Sequence, residues 1–168
     1  MDLVIAILEF AAVIDIGNTD GATGRLTAAA EGPRSPHVED LVPGFDDAAH
    51  ATAYGKSLLA TLTAEQRARY LKDYGMRQYT PQTITTPEAL EADLAAGERR
   101  QMQIEVNQFR QGLACAAMVA VADRDPERRV VIACAVPAPE LMTSAKVIRT
   151  RLTACARGIA AAYSDDSY

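Results

Sequence analysis

Tryptophan is absent from this 168-residue chain, and aromatic residues make up only 5% of it. A core without large rings must be built from Ala, Val, Leu and Ile, packed closely through small side chains. Basic clusters are scarce too: 17 Lys and Arg stand against 22 Asp and Glu, a net charge of −5. Nucleic-acid phosphates are held by clustered cations, so this chain is not expected to contact DNA itself. The densest basic pairs, Arg99-Arg100 and Arg128-Arg129, sit beside acidic residues and read as solvated faces. No apolar run reaches the roughly 18–20 residues of a membrane span. The opening DLVIAILEFAAVIDI carries Asp2, Glu9 and Asp15 and lacks the basic start of a signal peptide. The three cysteines, Cys115, Cys134 and Cys155, form no CxxC pair, and each lies in an apolar run. They read as buried thiols in a reducing cytoplasm. His37 and His50 are not paired with other ligands at zinc-site spacing, so no metal and no cofactor is expected.

What remains is an ordinary globular composition, 49% hydrophobic and 23% charged, long enough for one domain with a sizeable core. The first run, to Ile16, is β-branched and ends in the turn-rich Gly17-Asn18-Thr19-Asp20-Gly21, which predicts one strand or two with a bend near Glu9–Ala12. That turn does not fit a calcium loop, which needs oxygen ligands at alternate positions and a glycine at the sixth. So abrupt a start suggests that a further segment precedes it in the whole protein. Arg25–Ala30 predicts a short strand, and Glu31–Phe45, with three prolines, a loop.

Helices follow. Ala48–Leu62 is a small-residue helical run that Asp46 or Asp47 can cap. Thr63 and Gln66 form a capping box for a helix running to about Lys72. After an irregular Tyr74–Ile84, Thr86 caps a third helix, with Pro87 at its first position and Leu90 and Leu94 on its buried face. Met102–Val106, Gly112–Ala122 and Arg129–Val136 predict strands. The last two form a hairpin turning at Asp123–Glu127. Thr143 is the expected cap of a final helix with the apolar stripe Val147, Ile148, Leu152, Cys155, Ile159 and Ala162. Hairpins with packed helices predict an α/β (α+β) domain.

Three stretches invite a chemical reading. HATAYGKSLLATL contains GKS, the end of a phosphate-binding loop. The first glycine of that loop would fall on His50, and the segment before it is not a strand. The competing reading is a Gly55 that permits close packing, with Lys56 solvated and His50 capping or hydrogen-bonded. Cys115 would need an activating base, and Glu105 or His50 are the candidates. Glu105 in QIEVNQ is either a solvated carboxylate on an edge strand or a buried one that needs a partner.

The succession HATAYGKSLLATLT, YTPQTITTPEALEADLA, FRQGLACAAMVAV, RRVVIACAV and a last amphipathic helix resembles the effector-binding domain of IclR-type transcription regulators, over about Leu26–Tyr163. The resemblance implies a GAF-like fold, a curved antiparallel sheet with helices on both sides. It places the family's winged helix-turn-helix N-terminal to this single domain and outside residues 1–168. It implies a small-molecule effector, a homodimer or homotetramer, DNA contact only through the missing domain, and no enzymatic activity. Matched position by position, the amides facing an anionic effector fall on Ala53 and Tyr54, the acidic pocket residue on Glu105, the pocket thiol on Cys115, and apolar wall on Leu113. Two positions that are serine in keto-acid sensors fall on Ala135 and Pro137. These cannot hydrogen-bond a carboxylate, and Tyr54 is bulkier than the small residue often found there. A larger or less polar effector is implied, with Tyr54 either lining or plugging the pocket. A GAF-like thiol enzyme using Cys115 and a ligand-free dimerisation domain are the alternatives.

Overall fold

The computed structural model describes residues 12–17, 23–28, 47–122 and 129–165, the first two stretches and the last two residues by backbone alone. The elements in chain order are β1 (Ala12–Gly17), β2 (Thr23–Ala28), α1 (Ala53–Ala60), α2 (Ala64–Tyr74), α3 (Pro87–Arg100), β3 (Gln103–Val106), β4 (Leu113–Val121), β5 (Val130–Pro137) and α4 (Ala138–Asp165). The five strands form one antiparallel sheet in the order β2-β1-β5-β4-β3. The expected α+β layout is present. The opening strand through residue 11, the turn at 18–22, the proline-rich loop with His37, Asp46 and the hairpin turn at 123–128 lie outside the described residues.

Alternation along β4 and β5 divides the sheet into two apolar faces. Ala117, Val131, Ala133 and Ala135 pack under Ala53, Tyr54 and Leu58 of α1, with Leu113, Cys115 and Val119 half-buried beside them. Ala114, Ala116, Ile132, Cys134 and Val136 pack on the other face against Leu141, Ile148, Leu152 and Ala156 of α4. A third cluster joins α1, α2 and α3 through Leu59, Tyr70, Leu90 and Leu94. Helix α1 is thus enclosed by the sheet and by two helices, and every residue from Ala53 to Leu59 is buried.

Two helix starts differ from expectation. Helix α1 is capped by Thr52, whose hydroxyl accepts from the Gly55 N–H, rather than by Asp46 or Asp47. Residues 48–51 form a preceding turn, closed by Ala51 N–H to the Ala48 carbonyl, and Asp47 accepts from the Tyr79 hydroxyl instead. Helix α4 starts five residues before Thr143, directly after β5. Pro139 and Glu140 were the available signal, since proline suits the first helical turn and an acid suits its positive end. The Thr143 hydroxyl donates to the Glu140 carbonyl within the helix. Of the expected stripe, Ile148 and Leu152 are buried and Cys155 and Ile159 pack beside them, while Val147 is 39% exposed and Ala162 is exposed; Leu141, Ser144 and Ala156 are buried in addition. The predicted caps of α2 (Thr63 with Gln66) and α3 (Thr86 with Pro87) are present.

Candidate ligand site over the sheet

Strand register sets the site. Glu105 pairs with Cys115 on β4, and Cys115 pairs with Ala135 on β5. Opposed residues in an antiparallel ladder point to the same side, so these three form one row across the sheet. Leu113 and Pro137 are paired in an adjoining row. Ala53 and Tyr54, in the first turn of α1, lie over this face. All seven predicted residues therefore map to one side of the sheet, around the N-terminal end of one helix. Tyr54 is 9% exposed and packed among the sheet alanines, where burial raises its phenol well above the usual range. Its ring fills space against the sheet. Leu113 and Cys115 keep the face partly accessible.

Glu105 lies on an edge strand, yet it is only 1% exposed. Its Oε2 accepts the backbone N–H of Gln108 at 2.8 Å and of Phe109 at 3.5 Å. Burial pushes the carboxyl above its usual range, opposed by the Gln108 N–H, the Cys115 thiol, the Lys56 charge and the Phe109 N–H. A raised folded value means that the native state holds the proton more tightly than the unfolded chain. The Glu105 contribution is then fully present below the unfolded pKa and is lost as pH rises through the folded one. Glu105→Gln removes this titration without changing side-chain size. Between about pH 4 and pH 7, the stability of Glu105→Gln relative to wild type should rise, measured by urea midpoints. A flat or falling difference would contradict the buried-carboxylate assignment.

Lys56 corrects the sequence reading, which left it solvated. Its side chain is 0% exposed, and its Nζ donates to Asp93 Oδ2 at 2.5 Å, to the Ile104 carbonyl at 2.6 Å and to Gln108 Oε1 at 3.2 Å. Burial lowers the ammonium, and the Asp93 charge works against that. Gln108 is the junction: its N–H holds Glu105, its side chain accepts from Lys56, and its carbonyl accepts from the Thr83 hydroxyl at 2.5 Å. Thr80 likewise donates to the Asn107 carbonyl at 2.5 Å. The hydroxyls of YTPQTITT thus clamp the loop that follows β3 and fix Glu105. Sequence reasoning missed Lys56, Asp93, Gln108, Thr80 and Thr83. The signal was a single lysine in an otherwise small and apolar helix, which has no face for a free charge.

The remaining chemistry is quiet. His50 is buried as a hydrogen-bonded residue, its Nε2 2.9 Å from the Arg77 carbonyl, and burial lowers its pKa. Cys134 is buried, and Cys115 and Cys155 are half-buried as whole residues. Burial and the neighbouring carboxylate of Glu105 push the Cys115 thiol well above its usual range, and burial pushes Cys134 up to about 12. A nucleophilic cysteine needs the opposite shift. No described helix is long and apolar enough to cross a membrane.

The chain is thus an antiparallel sheet with helices on both faces, and Glu105, Cys115 and the start of α1 share one of them. The sequence profile described as "Bacterial transcriptional regulator IclR C-terminal" matches residues 22–164, and the chain belongs to this family. It is 34% identical over 99 residues to the "Probable transcriptional regulator SauR" of Cupriavidus necator, a match covering 59% of this chain and 38% of that protein. Its fold is similar to the crystal structure of the transcriptional regulator YaiJ, with a TM-score of 0.76, 18% identity, and coverage of 95% of this chain and 87% of that one. It is also similar to the inducer-binding domain of a double mutant of PobR from Acinetobacter, in complex with 3-hydroxybenzoic acid. That TM-score is 0.65 at 18% identity, covering 94% of this chain and 91% of that one. The stretch matched in SauR is thus well under half of the regulator's length.

Proposed function

We propose that this regulatory domain senses a small organic effector on the α1 face of the sheet and transmits binding through its association with other copies of the chain. Its identity as an IclR C-terminal domain is the starting point. The observation that carries the sensing role is the row Glu105, Cys115 and Ala135, with Leu113 and Pro137 beside it and the first turn of α1 above. A buried carboxylate beside partly accessible apolar surface is the pattern of a ligand pocket rather than of a plain core. Leu113, Cys115, Ala135, Pro137 and Tyr54 supply wall. The helix end at Ala53 and Tyr54 favours an anionic group. Without hydroxyls at 135 and 137, the site suits a larger and less polar ligand than a short keto acid.

The domain performs no chemistry in this reading. Effector binding favours one of two quaternary or inter-domain arrangements, by its differential affinity for them. DNA is contacted by a separate domain of the whole regulator, in the cytoplasm. A homodimer or homotetramer is the expected assembly. The raised Cys115 thiol speaks against the thiol-enzyme alternative. The test is a thermal-shift screen of organic acids against wild type and Leu113→Trp, which fills the half-buried wall. A true effector raises the wild-type Tm in a concentration-dependent way and fails to do so for a folded Leu113→Trp protein. Equal shifts in both proteins would remove the site from this face.

A further inference from the structure

We infer that α4 carries a second ligand site, separate from the α1 face, that takes a small organic molecule with an anionic group, phosphate or carboxylate, at each end. A groove of about 340 Å³ is lined by Arg149, Thr150, Thr153, Ala154 and Arg157 of α4, with Gln101, from the end of α3, as its wall outside that helix. Helix α4 packs on the sheet face opposite α1. Arg149, Thr153 and Arg157 recur at four-residue spacing and so share one face of the helix. The two arginines are about 12 Å apart along its axis, and Thr150, Thr153 and Ala154 lie between them. The volume is at the small end of small-molecule sites, about 300–1,000 Å³.

Charge gathers here against the trend of the chain. The protein carries −5 overall, yet between Glu140 and Asp165 it has Lys146, Arg149, Arg151 and Arg157 and no acidic residue. Arg149 and Arg157 are exposed, and neither forms an ion pair with a described residue. A cleft lined by one sign of charge concentrates ions of the other. A guanidinium meets a phosphate or carboxylate through two parallel hydrogen bonds, so an arginine at each end calls for an anion at each end.

The middle of the groove is polar and small. The Thr150 hydroxyl donates to the Lys146 carbonyl at 3.0 Å, which leaves its oxygen to accept from a ligand. Thr153, half-buried beside it, adds a second hydroxyl, and Ala154 leaves room. Gln101 closes α3 in the left-handed conformation, φ 58°, where glycine is less strained. Glutamine at this position keeps an amide on the groove wall. The carbonyl end of a helix is a poor neighbour for an anion. Here the Gly97 and Glu98 carbonyls are taken by the N–H groups of Met102 and Gln101, and Arg99 and Arg100 stand in the last turn.

Isothermal titration tests the site with fructose 1,6-bisphosphate against fructose 6-phosphate, and with adipate against hexanoate. The two pairs distinguish a phosphate ligand from a carboxylate one. In at least one pair the two-ended anion should bind wild type more tightly than its one-ended match. Arg149→Met and Arg157→Met should each weaken it by about ten-fold, the loss expected for one charge-assisted contact. Both side chains are exposed, so urea midpoints should stay at the wild-type value. Arg151→Met removes the same charge outside the groove and should bind as wild type does. Leu113→Trp should also bind as wild type, which keeps this site apart from the one on the α1 face. Equal weakening by Arg151→Met would reduce the effect to net charge and overturn the site. Loss of binding in Leu113→Trp would move the ligand to the α1 face. Failure of both two-ended anions to bind at millimolar concentration would overturn the ligand class. Duplex DNA binding that depends on Arg149 and Arg157 and resists competition by these anions would make the groove a nucleic-acid contact and overturn the proposal.

Discussion

Gly55→Ala should destabilise the domain by about 3 kcal/mol, at the upper end of ordinary overpacking costs. The sign is not obvious from local preference. Alanine is the better helix former by roughly 1 kcal/mol, and Gly55 sits in the first turn of α1. Packing decides the matter. A Cβ at this position would lie 2.3 Å from the Ala49 Cα, 2.6 Å from the Ala49 carbonyl oxygen and 2.6 Å from the Thr52 hydroxyl. Two of those atoms are backbone, and the turn that carries them is buried, so relief requires the helix and the 48–51 turn to separate. The same movement breaks the Thr52 cap, because the Thr52 hydroxyl accepts from the Gly55 N–H. The urea midpoint should fall sharply with an unchanged m-value. A midpoint equal to or above wild type would mean that the turn and helix are not packed as described.

Lys56→Met should cost a similar amount, about 3 kcal/mol, for an electrostatic reason. Removing one partner of a buried pair typically costs about 3–5 kcal/mol, because the other charge is left uncompensated. Asp93 keeps 24% of its side-chain surface, so water recovers part of that loss and the lower end applies. The Ile104 carbonyl and Gln108 Oε1 lose their donor at the same time. Methionine fits the volume, so the effect is not one of packing. A double-mutant cycle with Asp93→Asn separates the pair from its surroundings. Its coupling energy should exceed about 1.5 kcal/mol, well above the ~0.2–1 kcal/mol of exposed pairs. Coupling near zero would place Lys56 in solvent, as its sequence context alone suggested.

Much of the fold was legible in the chain. The capping box at Thr63, the Thr86-Pro87 start, the Leu90 and Leu94 face and the β4–β5 pair all follow from local chemistry that tertiary packing left undisturbed. The misreadings share one cause. Asp46 and Asp47 read as the available caps, but Thr52 caps α1 and Asp47 is drawn to Tyr79, 32 residues on. The α4 stripe included Val147 wrongly, because valine reads as apolar whichever way it faces, and missed Leu141, which lies before the expected start. The candidate site was half legible. Types and order pointed to Glu105 and Cys115, and the strand register then set them opposite each other. Nothing local pointed to Gln108, which holds nearby Glu105 but also joins it to the distant Lys56 and Thr83.

GKS shows the division. The residues themselves determined that no phosphate loop forms, because the first glycine and the preceding strand are missing. They also determined that Gly55 permits close approach in a small-residue helix. Only the tertiary structure decided that Lys56 is buried. Its charge is carried by Asp93, Ile104 and Gln108, which lie 37, 48 and 52 residues away. Local preference is settled over a turn or two of chain, but the cost of a buried charge depends on who stands beside it, and that is fixed only when the elements pack.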